Sequence, residues 1–272
     1  MIQSLKDILI VCDLDHTLLT AQEEMLPCNK ATIQLFCALG GRFTVASDRS
    51  AASIKLALGD LKLSCPAIVA SGASLYDMND GETVPIGQLD AEKSVMQMAE
   101  LMQRFPEVGV EVFTQDGAVW VVQANRYTHM QLRLENIGYG LLGAENIRAD
   151  WAKISLTAHP ATLAKVQEYL NTTHWNEMHM QYSSAAVLEL LPAKVNKGIA
   201  LRHLCKQEFI PIEHTIAIGD YYSDLPLMQA AGSAVAVGNA PQEVKQAAKK
   251  IVSNCMDGGV GEYIYALIKH YT

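Results

Sequence analysis

The sequence predicts an α/β protein in which a doubly wound parallel sheet carries an inserted α+β cap domain. Its 272 residues exceed what one ordinary core fills, while 50% apolar and 18% charged side chains are typical of a globular protein. Short apolar runs alternate with helical patterns up to about residue 86 and again from about residue 189. One sheet interrupted by an insertion explains this most simply. We therefore expect a core formed by residues 1–86 and 189–272, and a cap formed by residues 87–188.

The first core segment begins with a strand, a helix and a second strand. The strands are the apolar runs 8–12 and 42–46, and the helix covers residues 29–39 and ends at Gly40-Gly41. Short apolar strands joined by a helix imply parallel pairing. We also expect a helix from about Ser50, a strand at 67–70 and a hairpin that turns at Asp80-Gly81.

The inserted segment has a different pattern. A Met-rich amphipathic helix near residues 95–102 precedes two strands, 108–113 and 118–122, that form an antiparallel hairpin. Helical and strand signals then alternate over residues 125–138, 151–157, 160–170 and 187–191. The opening pattern returns with strands at 215–218, 234–237 and 251–253.

Charge and cysteine content exclude several classes of protein. The 29 acidic residues outnumber the 21 basic ones, and no basic block could follow a phosphate backbone, so we expect no nucleic-acid partner. Six scattered cysteines without C-x-x-C spacing favour a reducing cytoplasm. No apolar run suits a signal peptide or a membrane span. We expect a cytoplasmic monomer or weak homodimer with no membrane partner.

Polar residues follow three of the predicted parallel strands, at the edge where open α/β sheets bind ligands. They are Asp13 and Asp15 after the first strand, Ser47 after the second, and Asp220 and Asp224 after a strand of the second core segment. Two carboxylates about 4 Å apart repel by about 4 kcal/mol at an effective dielectric of about 20, so a bound cation is the simplest way to keep such a cluster ionised. Ligand sets made only of oxygen favour Mg²⁺, and Mg²⁺ indicates phosphoryl chemistry.

In order and spacing, these residues resemble the four motifs of the haloacid dehalogenase superfamily phosphatases. The matching residues are Asp13-Leu-Asp15-His-Thr17, Ser47, Lys197 within Asn196-Lys-Gly198, and Gly219-Asp220 to Asp224. Residues 188–198 and 236–258 are similar, more narrowly, to Cof-type sugar-phosphate phosphatases with a type-IIB cap. The resemblance covers nearly the whole chain. It implies a core with the insertion folded over the active site.

The resemblance also implies catalytic roles. Asp13 would be the nucleophile that forms an aspartyl-phosphate, and Asp15 would be the general acid and base. Ser47 and Lys197 would bind the phosphate of the substrate and stabilise the transition state. Ser223 would be a further phosphate-binding residue.

The metal would be Mg²⁺, according to the same resemblance. Its ligands would be the carboxylate of Asp13, the main-chain carbonyl of Asp15 and the carboxylate of Asp220, with Asp224 as a further or water-mediated ligand. The substrate would be a small phosphorylated metabolite, with sugar phosphates as the leading class. Polar cap residues that are candidates for contact with the leaving group are Arg126, Tyr127, Arg133, Lys153 and Tyr182.

Two other functions use the same residues. A phosphomutase would pass the phosphoryl group to a second hydroxyl if the cap excluded water. A sensor would bind phosphorylated metabolites without turnover. The sequence departs from the usual motifs at His16 for Gly, Ser47-Asp48-Arg49 for Thr-Gly-Arg, Ser71 for Asn and Ser223 for Asn. These departures bear on substrate preference and turnover more than on the type of reaction.

Overall fold

A computed structural model describes residues 2–136, 138–173, 175 and 177–272 of the chain. The first core segment contains β1 (Leu9–Cys12), α1 (Pro27–Ala38), β2 (Arg42–Val45), α2 (Ala51–Leu58), β3 (Ala67–Val69), β4 (Ser74–Tyr76) and β5 (Thr83–Pro85). The cap contains α3 (Ala91–Arg104), β6 (Gly109–Thr114), β7 (Val119–Gln123), α4 (Arg126–Glu135), β8 (Gly140–Leu141), β9 (Trp151–Thr157), α5 (Pro160–Thr172), β10 (Met178–Ser184) and β11 (Val187–Pro192). The second core segment contains α6 (Lys197–Gln207), β12 (Thr215–Gly219), α7 (Leu225–Ala230), β13 (Ser233–Ala236), α8 (Gln242–Ala247), β14 (Lys250–Ile251) and α9 (Gly259–Tyr271).

The core sheet has the strand order β14-β13-β12-β1-β2, and all of its neighbouring strands are parallel. A parallel bridge between Ala46 and Ile68 places β3 beside the end of β2. β3 pairs with β4, and β4 pairs with β5, in both cases antiparallel. β4 and β5 form the hairpin that was predicted to turn at Asp80-Gly81. The parallel α/β core expected from the sequence is confirmed.

Helices cover both faces of this sheet, which explains why β1 shows no alternation of apolar and polar residues. Ile10 and Cys12 belong to a buried cluster that includes residues of α1, α2 and α9. Leu9 and Val11 point the other way, into a cluster with residues of α6, α7 and α8. The strand is thus buried on both sides and its carboxyl end opens on the ligand-binding edge. No helix in the described part of the chain is both long and apolar enough to cross a membrane.

The cap is a six-stranded sheet with the order β10-β11-β9-β6-β7-β8. Its pairs are antiparallel except for β7 and β8. One face packs against α3 and α5, through residues such as Met98, Leu101, Leu163 and Val166. The amphipathic spacing of α3 accordingly serves the cap core.

The cap sheet continues beyond the boundary expected at residue 188. β11 pairs with β10 as far as Pro192, which lies opposite Met178. The apolar run that forms β11 fits a strand of either sheet, so its composition does not reveal which one it joins. We propose that the second core segment begins at residue 193.

Candidate active site

The polar residues predicted to form a site converge at the carboxyl ends of β1, β2 and β12. Asp13, Asp15, Asp220, Asp224 and Ser223 all line one cleft between the core and the cap. Lys197 reaches the same point from the first position of α6, where Asn196 caps the helix by accepting a hydrogen bond from the Ile199 amide at 2.9 Å. Ser47, two residues after the end of β2, is buried, and its hydroxyl oxygen accepts a hydrogen bond from the amide of Arg49, which lines the cleft.

Three buried carboxylates form the base of the site. Oxygens of Asp13, Asp220 and Asp224 all lie within 4.8 Å of one another. Burial and the charge of Asp224 raise the pKa of Asp13 well above its ordinary value, and burial and Asp224 raise the pKa of Asp220 to about 7. A cation held among the three would remove the repulsion, and an all-oxygen donor set suits a hard divalent ion.

Hydrogen bonds fix two of these carboxylates in place. Asp220 accepts from the Thr17 hydroxyl at 3.0 Å and from the Asn239 amide at 3.3 Å. Oδ2 of Asp224 accepts from the main-chain amides of Asp220 and Tyr221 at 3.0 and 3.1 Å. Such second partners orient ligand side chains before a metal binds.

Lys197 is the cation of the site and lies among three carboxylates. Its Nζ is 2.8 Å from Asp13, 2.8 Å from Asp224 and 3.3 Å from Asp48. Burial alone would lower the pKa of Lys197, but the charges of Asp13 and Asp224 raise it well above its ordinary value. The ammonium group therefore stays charged where a phosphoryl group would meet Asp13.

Asp15 lies outside the carboxylate triad and is held by Arg49. Nε of Arg49 donates to both oxygens of the Asp15 carboxylate, at 3.1 and 2.9 Å. Arg49 also bonds Glu23 and donates to Ser53 at 3.1 Å. Ser53 in turn donates to the main-chain oxygen of Glu135, at the end of cap helix α4. The orientation of Asp15 is thus linked to the position of the cap.

Two of the unusual motif residues contact each other. The Ser223 hydroxyl donates to Oδ2 of Asp48 at 3.2 Å. Ser47, next to Asp48, accepts a hydrogen bond from the Arg49 amide at 3.2 Å. His16 has a φ of +57°, a conformation that favours glycine, and its main-chain oxygen accepts from Asn239 at 2.8 Å. The departures at Asp48 and Ser223 therefore contact each other, beside the groups that the sequence predicts to bind phosphate.

The family model for haloacid dehalogenase-like hydrolases matches residues 10–264 of the chain. The chain belongs to this family. The resemblance found in its motifs is thereby confirmed, and the chain is a hydrolase of the haloacid dehalogenase type.

Similar proteins agree with this assignment. A putative phosphatase of Haemophilus influenzae is 25% identical over 92% of this chain and 94% of its own. The 5-amino-6-(5-phospho-D-ribitylamino)uracil phosphatase of Bacillus subtilis is 24% identical over 95% of this chain and 97% of its own. A haloacid dehalogenase-like hydrolase from Bacteroides thetaiotaomicron has the same fold, with a TM-score of 0.83, 24% identity and coverage of 96% and 99% of the two chains. Because these relatives are named phosphatases, the expectation that the chain is a phosphoric monoester hydrolase is confirmed.

The sequence interpretation of this hydrolase missed a buried charge network between cap and core. Lys153, expected near the leaving group, is fully buried and forms an ion pair with Glu189 across the cap sheet. Its ammonium group also donates to the main-chain oxygen of Asp48 at 2.6 Å and to the Ser71 hydroxyl at 3.2 Å. Ser71 donates to Glu189 at 2.6 Å and has a φ of +62°. Lys153 therefore joins the cap to two core loops and is removed from the leaving-group candidates.

The cleft of this hydrolase has a volume of about 590 Å³, and residues of the cap and of both core segments line it. Tyr127 lies in it, and so do Met130 and Leu134 of the same helix face, which are 58% and 54% exposed. Of the other predicted cap contacts, Arg126 stacks on Tyr127 at 4.7 Å and Tyr182 packs with the cap core. The helical spacing of residues 127, 130 and 134 could have predicted that these side chains lie on one helix face.

Proposed function

We propose that this hydrolase is a Mg²⁺-dependent phosphatase that cleaves small phosphomonoesters through an aspartyl-phosphate on Asp13. The observation that carries this proposal is the position of the Lys197 ammonium group, 2.8 Å from Asp13 and 2.8 Å from Asp224, at the base of an open cleft. A carboxylate nucleophile beside a cation and two further carboxylates suits attack on an anionic ester.

In the first step Asp13 would attack phosphorus in line, so that an oxygen–phosphorus bond forms while the ester bond to the leaving group breaks. Asp15 would give its proton to the departing oxygen. In the second step Asp15 would take a proton from water, whose oxygen attacks phosphorus, releasing phosphate and regenerating Asp13. Lys197 would stabilise the charge on the phosphoryl oxygens in both steps.

Asp13 and Asp220 would hold Mg²⁺ directly, together with the Asp15 main-chain oxygen. Oδ1 of Asp224 accepts from Lys197 and its Oδ2 accepts from two main-chain amides, whereas each oxygen of Asp220 accepts a single hydrogen bond. Asp224 therefore has fewer free lone pairs than Asp220, which favours a water-mediated role for this residue. When bound, Mg²⁺ supplies charge that offsets the repulsion between the phosphate and its nucleophile. Ser47, Lys197 and Ser223 remain the proposed phosphate-binding residues.

Sugar phosphates are the proposed substrate class. The volume of the cleft suits a small metabolite. The Bacillus subtilis relative is named for a substrate that carries a phosphorylated ribityl chain on a uracil ring. Because Tyr127, Met130 and Leu134 offer an apolar wall, a substrate screen has to include phosphates with aromatic leaving groups beside plain sugar phosphates.

The test is release of inorganic phosphate from a panel of phosphorylated metabolites and p-nitrophenyl phosphate. We expect turnover with Mg²⁺, its loss with EDTA and its return when Mg²⁺ is added again. Conversion of a sugar phosphate to an isomer without phosphate release would identify a mutase instead. Tight phosphate binding without turnover of any ester would contradict the proposal and identify a sensor.

A further inference from the structure

Asp48 places a carboxylate directly on the groups that are proposed to bind phosphate. Its Oδ1 is 3.3 Å from the Lys197 ammonium group, and its Oδ2 accepts from the Ser223 hydroxyl at 3.2 Å. The side chain lines the cleft and is 20% exposed. One carboxylate thus accepts the hydrogen bond of Ser223 and forms an ion pair with Lys197, the two groups that are proposed to bind phosphoryl oxygens.

We propose that Asp48 is a specificity-determining residue that competes with the phosphoryl group for Lys197 and Ser223, and so weakens the binding of phosphate. This inference rests on the phosphatase function proposed above. Its consequence for turnover is that substrate and product phosphate are both bound less tightly than they would be with a neutral residue at position 48. Product inhibition is correspondingly weak.

The charge balance of the site supports this competition. Lys197 already lies within 3.3 Å of three carboxylates, so the cluster is negative before any phosphate arrives. Burial opposes ionisation of Asp48, yet Lys197 and Lys153 hold the pKa of Asp48 below its ordinary value. Asp48 therefore keeps its charge, and a phosphate dianion beside it is repelled at short range.

The backbone of Asp48 is held so that the carboxylate stays in this position. Lys153 of the cap donates to its main-chain oxygen at 2.6 Å, and the Ala70 amide donates to the next carbonyl, that of Arg49, at 2.9 Å. Relief of the competition therefore requires rotation of the side chain rather than displacement of the loop. The Asp48 carboxylate has to turn away from Lys197 whenever a phosphoryl group takes its place.

The test is the dissociation constant of inorganic phosphate, measured by calorimetry in the presence of MgCl₂, for the wild type and for Asp48→Asn. The asparagine keeps the volume of the side chain but not its charge. We expect the constant to fall at least tenfold, and the KM for p-nitrophenyl phosphate and the inhibition constant of phosphate to fall with it. A merely structural defect would raise all three.

Glu23→Gln is the matched control, because Glu23 lines the same cleft but forms its ion pair with Arg49 rather than with Lys197. We expect this variant to change the phosphate constant threefold or less. Asp48→Ser is a second neutral variant, with the same expected direction if the asparagine variant folds poorly.

Equal or weaker phosphate binding by the neutral Asp48 variants would overturn the inference. An increase in phosphate affinity in the Glu23 variant as large as that in the Asp48 variants would also overturn it. The effect would then come from the lower negative charge of the cleft as a whole rather than from competition by Asp48. Tighter phosphate binding by Asp48→Asn in a protein that hydrolyses no ester would support the inference and contradict the proposed function. Absence of phosphate binding in every protein would overturn the inference, whereas the proposed function would still be decided by the phosphate-release assay.

Discussion

The ammonium group of Lys153 donates a hydrogen bond to the main-chain oxygen of Asp48 at 2.6 Å, which joins the central strand of the cap to the loop after β2. The same group forms the ion pair with Glu189, and the side chains of Lys153 and Glu189 are buried. A long-range contact of this kind fixes the position of the cap and the path of the loop after β2 together. Its loss is expected to affect stability first.

Lys153→Met is expected to lower the free energy of unfolding by about 3 to 5 kcal/mol, because it leaves the Glu189 carboxylate buried without its cation. Denaturant unfolding monitored by circular dichroism measures the change. The double variant Lys153→Met with Glu189→Leu removes both charges and is the control. We expect it to recover more than half of the loss, and a double variant no more stable than the single one would contradict this explanation.

Asp13→Asn is expected to reduce kcat by about 10⁴-fold while the melting temperature stays close to that of the wild type, since the change removes the nucleophile but little volume. Single-turnover assays with p-nitrophenyl phosphate and thermal unfolding of the same sample measure the two effects. Rates like those of the wild type in this variant would exclude a covalent intermediate on Asp13.

Asp15→Asn is expected to slow hydrolysis of alkyl phosphates by about 10² to 10⁴-fold, because a poor leaving group needs a proton from the general acid. The p-nitrophenolate released from p-nitrophenyl phosphate is a weak base that needs little protonation, so the rate of the first step with this substrate should fall much less. The comparison is made under single-turnover conditions, which isolate that step. Equal losses for the two substrates would count against an acid role.

Glu111→Met is expected to stabilise the protein, and more so at pH 7 than at pH 5. Burial raises the pKa of Glu111 to about 8, from 4.5, and neither carboxylate oxygen has a hydrogen-bond partner within the described residues. Between these two pKa values the unfolded chain releases a proton that the folded chain keeps, so the contribution of Glu111 to stability falls as pH rises through this range.

At pH 7 this linkage amounts to about 3 kcal/mol, and at pH 5 to less than about 1 kcal/mol. Urea unfolding of both proteins at the two pH values measures the difference. Trp151→Phe, which removes another buried unpartnered group without a titration, is the control and should show the same change at both pH values. A gain in the free energy of unfolding from Glu111→Met that does not depend on pH would contradict the raised pKa of Glu111.

The core could be predicted from the sequence because each of its strands is recognisable from a short stretch of consecutive residues. Strands buried on both faces are continuous apolar runs, and the residues that follow them lie at one edge of the sheet whatever the register. From this rule alone the sequence predicts that Asp13, Ser47 and Asp220 lie close together. The position of Lys197 came from the family resemblance.

The contacts that the sequence did not reveal join residues that are far apart in the chain. Asp48 and Ser223 are separated by 175 positions, and Lys153 and Asp48 by 105. Lys153 and Glu189 are buried together because their strands are neighbours in the cap sheet, and strand order is not encoded in the pattern of either strand. For the same reason the sequence did not reveal that β11 pairs with the cap strand β10 as far as Pro192, four residues beyond the expected end of the cap.

The insertion enters and leaves the core at adjacent points. A side chain on Gly87 would come within 2.6 Å of Val195 Cγ2, so the second residue after β5 lies against the segment that follows β11. Foreign segments are tolerated best where their two ends meet the host chain close together. We therefore expect that caps from related hydrolases can be transplanted as complete cassettes onto this core, provided that the donor cap keeps the contact of Lys153 with Asp48. Such chimeras would test whether the choice of alcohol follows one parent and the cleavage chemistry the other.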